Sequence, residues 1–275
     1  MMTSLNADEI RRFVNDPVRK RLATIDVFSE LASTNSFLME SPGPEPGMIS
    51  IAATNNQTAG RGRHGKTWLS PPGSGLCLSV AYTFATQPEN LPALTLVLGL
   101  GGVHALEELG ATDVEIKWPN DLVARDGKLG GILTEVQHQS AGGVTIVTGI
   151  GINVDLQEKL DFGMEADWAR NVVDLKSICD VTPSHEEVAG KMTAHFLQAF
   201  VDFEEFGFAA VADRWSQYDW LLGRAITVDT ADRQFSGIGA GVAEDGALLI
   251  DTPDAGIRRV SSGTIVIAGS RDKTL

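Results

Sequence analysis

Hydrophobic residues follow two alternating patterns over the first 154 residues of the chain, one typical of strands and the other of helices. Short apolar runs predict strands over 22–28, 48–53 and 75–84. A Ser/Thr/Asn cluster predicts the start of a short helix over 33–41. The uncharged stretch that follows predicts a buried helix over 91–109, ending near Gly110.

Further strands joined by short turns are predicted over 114–118, 121–125, 128–139 and 143–154, with Asp126-Gly127 as a hairpin signal. Helical spacing then predicts helices over 184–206 and 208–218. These alternating elements indicate an α/β (α+β) domain with a mixed central sheet flanked by helices.

From about residue 224 the pattern changes to short strands, with a turn expected at Asp245-Gly246. This region predicts a small β-barrel or sandwich. The expected organisation is therefore an N-terminal extension over 1–21, an α/β domain over 22–218 and a small β domain over 219–275.

The composition, 43% hydrophobic with a formal net charge of -14, is that of a globular protein that would repel a nucleic-acid backbone. The uncharged stretch 91–106 is shorter than the roughly 20 residues that a membrane helix needs. No signal-peptide pattern opens the chain. Cys77 and Cys179 lie in apolar contexts, which predicts buried free thiols in a reducing compartment. We therefore expect a cytoplasmic protein without DNA or membrane partners.

One segment departs from the acidic character of the chain: TAGRGRHGKTWLSPPG, residues 58–73, contains four glycines and several cationic side chains but no acidic residue. Glycine permits close backbone approach, and arginine binds carboxylate or phosphate through two parallel hydrogen bonds. The segment matches neither a Walker loop nor a dinucleotide-binding fingerprint. It predicts an anion-binding loop, and a solvated arginine-bearing turn is the alternative.

Other polar residues that periodicity does not explain lie at predicted strand ends or in loops: Ser33-Thr34-Asn35, KWPND at 117–121, KLGG at 128–131, and Asn153. Strand ends of a rigid sheet commonly present functional groups. KWPND could also be a charged strand terminus with Trp118 in the core, and Lys128 a solvated hairpin flank.

Together, these segments resemble the biotin protein ligase family. The resemblance rests on STN at 33–35, the pattern QxxGRGRxGxxW at 57–68, KWPND at 117–121, KxGGIL at 128–133 and GIGIN at 149–153, in that order. It implies a class II synthetase-like fold with a small C-terminal SH3-like barrel. The implied reaction is ATP-dependent biotinylation of one lysine on a biotin carboxyl carrier domain, through biotinyl-5'-AMP.

The resemblance also implies roles for individual residues. The implied biotin-binding residues are Ser33, Thr34, Asn35, Gln57, Gly60, Arg61, Arg63, Trp68, Lys128, Gly130 and Gly131. The implied nucleotide-binding residues are Arg63, Lys117, Trp118, Asn120, Asp121, Gly131 and Asn153. Catalysis is assigned to Arg63, Lys117, Lys128 and Asp121, and the loop 58–73 is expected to become ordered as a lid over the substrates.

Mg²⁺ is expected with ATP, although no metal ligands can be identified from the sequence. Asp121 could assist the metal, position the incoming lysine amine, or be a plain strand-end carboxylate. The extension 1–21 is too short for a winged-helix domain, so a ligase without a DNA-binding domain is expected, as a monomer or weak homodimer. A lipoate or octanoyl ligase of the same fold and a non-catalytic biotin-binding regulator are the alternatives.

Overall fold

A seven-stranded mixed sheet forms the centre of the N-terminal part of the protein. The computed structural model describes residues 5–138, 143–156, 172–230 and 232–267. In chain order the strands are β1 (Leu22–Phe28), β2 (Ile49–Thr54), β3 (Gly75–Phe84), β4 (Val114–Lys117), β5 (Asp121–Ala124), β6 (Gly127–His138) and β7 (Val144–Asn153). They are arranged β1-β2-β3-β7-β6-β5-β4, and of their pairings β1 with β2 is parallel and the others antiparallel. The predicted mixed sheet is therefore confirmed.

Helices cover both faces of this sheet. They are α1 (Ala7–Arg12), α2 (Asp16–Arg19), α3 (Thr34–Glu40), α4 (Leu94–Glu108), α5 (Leu175–Ile178), α6 (His185–Phe206) and α7 (Ala212–Ser216). None of the described helices is long and apolar enough to cross a membrane.

The main hydrophobic core lies between the sheet and the helices α4 and α6. In α4, a Cβ added at Gly101 would lie 3.1 Å from the backbone oxygen of His195, and one at Gly102 would lie 3.3 Å from Leu122. Each glycine in a helix costs about 1 kcal/mol relative to alanine. Here the glycines allow α4 to approach both α6 and the sheet, which explains the uncharged, glycine-containing stretch.

The helix α3 covers part of the opposite sheet face. Its Leu38 packs against Ala52, Ala81 and Val147 in a smaller apolar cluster. Ser33 caps the helix, since its side chain accepts a hydrogen bond from the backbone N–H of Ser36. This small cluster ends where the polar residues at the start of α3 begin, so the rest of that face is available for other chemistry.

The C-terminal part contains β8 (Ala225–Asp229), β9 (Gln234–Val242), β10 (Leu248–Thr252), β11 (Gly256–Val260) and β12 (Thr264–Ile267). They form one antiparallel sheet in the order β11-β10-β9-β8-β12. The turn at Asp245-Gly246 is confirmed, with Gly246 at φ +83°. The segment 218–220 hydrogen-bonds to Ile116 of β4, so the chain leaves the first sheet through its edge. The division at 218/219 stays a prediction.

Three details differ from the sequence-based expectations. Ala124 pairs with Gly127, so the hairpin turn is Arg125-Asp126, both at positive φ, and not Asp126-Gly127. The helix predicted over 208–218 is shortened to α7, because Gly207 ends α6 at φ +65° and buried Phe208 follows it. Cys179 is only partly buried, since it lies just beyond the end of the short helix α5.

Candidate functional site

A floor built mainly from glycines lies on the sheet face that α3 leaves partly uncovered. Gly151 pairs with Gly131 on β6 and with Cys77 on β3, while Gly149 pairs with Ser79 in the next row. A Cβ at Gly149 would lie 2.2 Å from the side-chain oxygen of Asn35, and a Cβ at Gly151 would lie 2.3–2.5 Å from the Trp68 indole. Glycine is therefore required at both positions by what packs above them.

The start of α3 forms one wall of this site. Ser33, Thr34 and Asn35 are each at most 5% exposed. Both the backbone N–H and the hydroxyl of Thr34 donate to Oε1 of Gln57, at 2.9 and 3.2 Å. Four residues that the sequence assigned to biotin binding are thus brought together, although they come from segments more than twenty residues apart.

Two further residues complete this polar wall, Ser79 and Glu135, and neither was among the predicted site residues. The Ser79 hydroxyl lies 2.7 Å from the Thr34 hydroxyl and 2.6 Å from Oδ1 of Asn35. Glu135 Oε2 accepts a hydrogen bond from Asn35 Nδ2 at 2.9 Å. Ser79 lies in the middle of a fully buried strand, and Glu135 in a strand of mixed polarity. Only the register of the strands shows that both residues lie beside Asn35.

The glycine-rich loop folds into a small hairpin over the site. Trp68 N donates to Gly60 O at 3.0 Å, Gly62 N donates to Lys66 O at 2.7 Å, and Arg61 bridges to Thr67. A Cβ at Gly60 would lie 2.3 Å from the Trp68 carbonyl oxygen, which explains that glycine. The hairpin places the Trp68 ring on the glycine floor.

Cationic side chains from three segments meet at one end of the floor. Lys128 Nζ forms an ion pair with Asp121 at 2.7 Å and lies 5.6 Å from the Trp68 ring centroid. Arg63 Nη1, on the hairpin, reaches Oδ1 of the neighbouring Asn120 at 3.4 Å. Lys117 pairs directly with Asp121 in the strand register. Arg63, Lys117 and Lys128 therefore approach the same short turn between β4 and β5.

The charge at this turn is predominantly positive. Desolvation lowers the pKa of Lys117, Asp121 opposes that shift, and the neighbouring charges of Lys128 and Lys66 add to it. Burial also lowers the pKa of Arg63, again opposed by Asp121. Several cations lie around one carboxylate, so the positive charge is in excess. This excess favours the binding of a further anion.

Several predicted site residues have their side chains engaged in other contacts. Arg61 Nη2 pairs with Glu135 at 2.6 Å and not with the cationic group. Asn153 Nδ2 donates to the backbone oxygens of Lys128 and Val173, at 3.2 and 3.0 Å. Trp118 is buried and its Nε1 donates to Gly246 O at 2.9 Å. Their predicted ligand contacts stay predictions.

Gly130 has a structural explanation as well. A Cβ there would lie 2.5 Å from Ile152 Cδ1, on the opposite sheet face from Gly131. A Cβ at Gly131, by contrast, would lie 3.4 Å from both Asp121 and Lys128. Of these two glycines, only Gly131 borders the cationic group.

A cavity of about 380 Å³ adjoins this group, between the central sheet and the turn that precedes β10. Its lining includes Arg63, Trp118, Asn120, Thr95, Thr134, Leu133, Gly246 and Ser261. Apolar walls with a few converging polar groups are typical of small-molecule sites. Three of the predicted nucleotide-binding residues line it.

Cys77 lies in the floor but is not suited to nucleophilic chemistry. Burial raises the pKa of its thiol to about 11, although hydrogen bonds involving Ser70 and Trp68 oppose the shift. The thiolate is the nucleophilic form of cysteine. The thiol is therefore protonated near neutral pH and serves as a small buried side chain.

The described residues contain no group of three or more His, Cys, Asp or Glu side chains that could hold a metal ion. Asp121, the carboxylate at the cationic group, is already paired with Lys128. A metal site built by protein side chains therefore does not fit this part of the chain. Mg²⁺ is usually held largely by substrate phosphates and water.

Family models match the chain in two regions. Residues 28–153 match the Biotin/lipoate A/B protein ligase family, and residues 221–267 match the Biotin protein ligase C terminal domain. The first region contains the glycine floor, the hairpin and the cationic group. The second contains the C-terminal sheet.

Individual relatives agree with these models. The chain is 31% identical over 229 residues to the bifunctional ligase/repressor BirA of Escherichia coli, covering 83% of this chain and 69% of that protein. It is 28% identical over 247 residues to the biotin--[acetyl-CoA-carboxylase] ligase of Paracoccus denitrificans, covering 87% of this chain and 100% of the relative. The structure of biotin protein ligase from Aquifex aeolicus in complex with biotin and ATP superposes with a TM-score of 0.72 at 28% identity, covering 90% of this chain and 99% of that one.

Proposed function

Because the chain belongs to the biotin protein ligase family, we propose that it catalyses ATP-dependent biotinylation through biotinyl-5'-AMP and transfers biotin to one lysine of a biotin carboxyl carrier domain. The observation that carries the proposal is the meeting of Arg63, Lys117 and Lys128 at one end of a glycine floor whose other end is lined by hydrogen-bonding side chains.

The first step joins two anions. A carboxylate oxygen of biotin attacks the α-phosphorus of ATP, and the bond to the departing pyrophosphate breaks. Two unit charges about 4 Å apart repel by about 4 kcal/mol at an effective dielectric constant of about 20. Lys128 and Arg63 stand where they would offset that repulsion and stabilise the charge that develops on the phosphoryl oxygens.

In the proposed reaction, Asp121 holds the Lys128 side chain in position. Their 2.7 Å ion pair directs the ammonium group towards the floor beside Gly131. Lys117, whose pKa is lowered by desolvation, contributes a further positive charge at the same turn. No step of the proposal requires Asp121 to bind a metal.

The polar wall is assigned to the ureido ring of biotin. Thr34, Ser79 and Gln57 provide closely spaced donors and acceptors beside the glycine floor. A flat, polar ring that both donates and accepts hydrogen bonds matches that wall, and Trp68 closes the floor from above. The adjoining cavity, lined by Arg63 and Asn120, is assigned to the nucleotide.

In the second step the amine of the carrier lysine attacks the carbonyl carbon of the mixed anhydride, and AMP departs with the acyl C–O bond electrons. Until the carrier arrives, the hairpin over 58–73 would keep water from the anhydride. The seal depends on Trp68 and Arg63, which extend from the hairpin to the floor and to Asn120.

A direct assay tests the proposal. The purified protein is incubated with radiolabelled biotin, ATP, Mg²⁺ and a purified carrier domain, and a carrier with its target lysine changed to arginine is the control. Label is expected on the unchanged carrier only. Transfer of lipoate would instead support the lipoate ligase alternative, whereas biotin binding without adenylate formation would support a non-catalytic regulator. The C-terminal match, which is to the biotin protein ligase domain, favours biotin.

A further inference from the structure

The ammonium group of Lys117 lies beside an aromatic ring. Its Nζ is 5.3 Å from the ring centroid of Trp220, and it forms no ion pair or hydrogen bond with another of the described residues. Lys128, by comparison, forms the 2.7 Å ion pair with Asp121. The two lysines of the cationic group are therefore held by different kinds of contact.

Trp220 is fixed by contacts of both its backbone and its side chain. Its backbone N–H donates to the Ile116 oxygen at 3.0 Å, and the Ile116 N–H donates to the Tyr218 oxygen at 2.7 Å. This pairing is parallel to β4, the strand that ends at Lys117. Trp220 is only 7% exposed, and its Nε1 donates to Oδ1 of Asp126 at 3.2 Å. These contacts set the position of the ring relative to Lys117.

We propose that Trp220 is a positioning residue for Lys117, which it holds by a cation–π contact at the end of the glycine floor where the adenylate forms. This inference rests on the proposed function. Trp220 itself is not placed on the substrate.

An aromatic ring attracts a cation without cancelling its charge. The face of an indole carries a negative electrostatic potential but no net charge, and a cation within about 6 Å of the ring centroid is attracted to it. A carboxylate in the same place would pair with Lys117 and reduce the positive charge that the phosphates of ATP meet. Desolvation lowers the pKa of Lys117, so a contact that favours the charged form also helps to keep the amine protonated.

The ring belongs to the connection between the two sheets. The Gly223 N–H donates to the Gly239 oxygen at 2.8 Å, and the Gly239 N–H donates to the Arg224 oxygen at 2.9 Å. The residues that follow Trp220 are thus attached to β9, while Trp220 itself is paired with β4. In this proposal, the C-terminal part of the chain therefore supports the cationic group through one side chain.

A second cation contacts the same ring and provides a control. The guanidinium carbon of Arg224 lies 4.4 Å from the ring centroid of Trp220, and its Nη1 pairs with Oδ1 of Asp126 at 3.4 Å. The side chains of Arg224 and Asp126 are 40% and 67% exposed, so this ion pair contributes little to stability. Arg224→Met removes a cation from the ring but leaves Lys117 and Trp220 in place.

Matched substitutions separate the aromatic face from the size of the side chain. Trp220→Phe and Trp220→Leu both remove the indole N–H and leave a smaller side chain, but only phenylalanine keeps an aromatic face. Each is made in the wild-type and in the Lys117→Met background, which gives a double-mutant cycle. Adenylate formation is measured as pyrophosphate release at saturating biotin and ATP without a carrier, below the lowest melting temperature of the set. If Trp220→Leu does not fold, Trp220→Met replaces it as the variant without a ring.

Trp220→Leu is expected to slow adenylate formation about 3- to 10-fold, and Trp220→Phe by less than about threefold. In the Lys117→Met background, the two variants should differ by less than about twofold, because no cation remains for the ring to hold. Arg224→Met should stay within about twofold of the wild-type rate.

An unchanged rate in Trp220→Leu, or equal slowing by Trp220→Phe and Trp220→Leu, would overturn the inference, since the aromatic face would then have no role. Slowing of the same size in the Lys117→Met background, or in Arg224→Met, would also overturn it, because the effect would not depend on Lys117. If the wild-type protein forms no adenylate, the proposed function fails, and this inference fails with it.

Discussion

Replacing Lys128 by methionine is the most direct perturbation of the cationic group. Methionine keeps the length of the stem that lies near Trp68 but removes the ammonium group that pairs with Asp121. The variant therefore tests charge at this position and disturbs packing little. In the proposed reaction, the missing charge is one that faces both the biotin carboxylate and the α-phosphate.

The size of the effect follows from the type of contact. A hydrogen bond to a charged group contributes about 1.5–3 kcal/mol. Because each 1.36 kcal/mol corresponds to a tenfold change in rate, adenylate formation should slow by about 10- to 150-fold. Pyrophosphate release, measured with biotin and ATP in the absence of a carrier, reports this step alone.

Lys191→Met provides a matched control. Lys191 pairs with Glu108 on the helical side of the molecule, and its side chain is 27% exposed, compared with 31% for Lys128. The two variants should have similar melting temperatures but very different rates. If Lys128→Met forms adenylate within about threefold of the wild-type rate, a difference of under 1 kcal/mol, Lys128 does not carry the role assigned to it.

Three further predictions concern the floor, the cationic group and the cover. Gly151→Ala should displace the Trp68 ring and raise the KM for biotin at least several-fold. Gly62→Ala is the control and should leave the KM unchanged, because its added Cβ would meet only ordinary contacts at 3.4 Å or more. Equal KM values for the two variants would contradict this packing. Lys117→Met should slow adenylate formation. Because the substitution removes a desolvated charge, the melting temperature should stay unchanged or rise by about 2–4 °C. A large fall in melting temperature would refute the stability prediction. The thiol of Cys77, with its pKa raised to about 11, should resist a thiol reagent at pH 8 until Trp68→Ala uncovers it, and rapid labelling of the wild-type protein would show that the cover is open.

The strands and long helices were predictable because each satisfies one simple pattern. Two strands, Leu22–Phe28 and Gly75–Phe84, have the predicted bounds, and the helix His185–Phe206 begins directly after its Ser184 cap. The turn at Arg125-Asp126 was predicted one residue too late, because Asp-Gly is the more usual pair for that turn. Gly127 is instead explained by Val173, which a Cβ there would meet at 3.3 Å.

The site was predictable only in part, for a different reason. Arg63, Lys117 and Lys128 belong to loops and strand ends, where a cation does not contribute to the core. Their grouping in a site could therefore be predicted from the sequence. Ser79 and Glu135 lie within strands, where a polar residue is ordinarily a solvated or satisfied position. They belong to the site because of the residues that lie opposite them on neighbouring strands. A single sequence does not show which distant strands pair.

The same register links the site to the core. Along β7, Ile150 and Ile152 belong to the main hydrophobic core, while Gly149 and Gly151 lie on the opposite face, under Asn35 and Trp68. A slip of one residue would exchange the two sets, placing isoleucine side chains under Trp68 and glycines in the core. Burying each isoleucine contributes about 1.5–3 kcal/mol, so the packing of the core strongly disfavours the slipped register. The glycine floor on which the proposed chemistry depends is therefore maintained from the opposite face of the sheet, by residues that never approach the substrate.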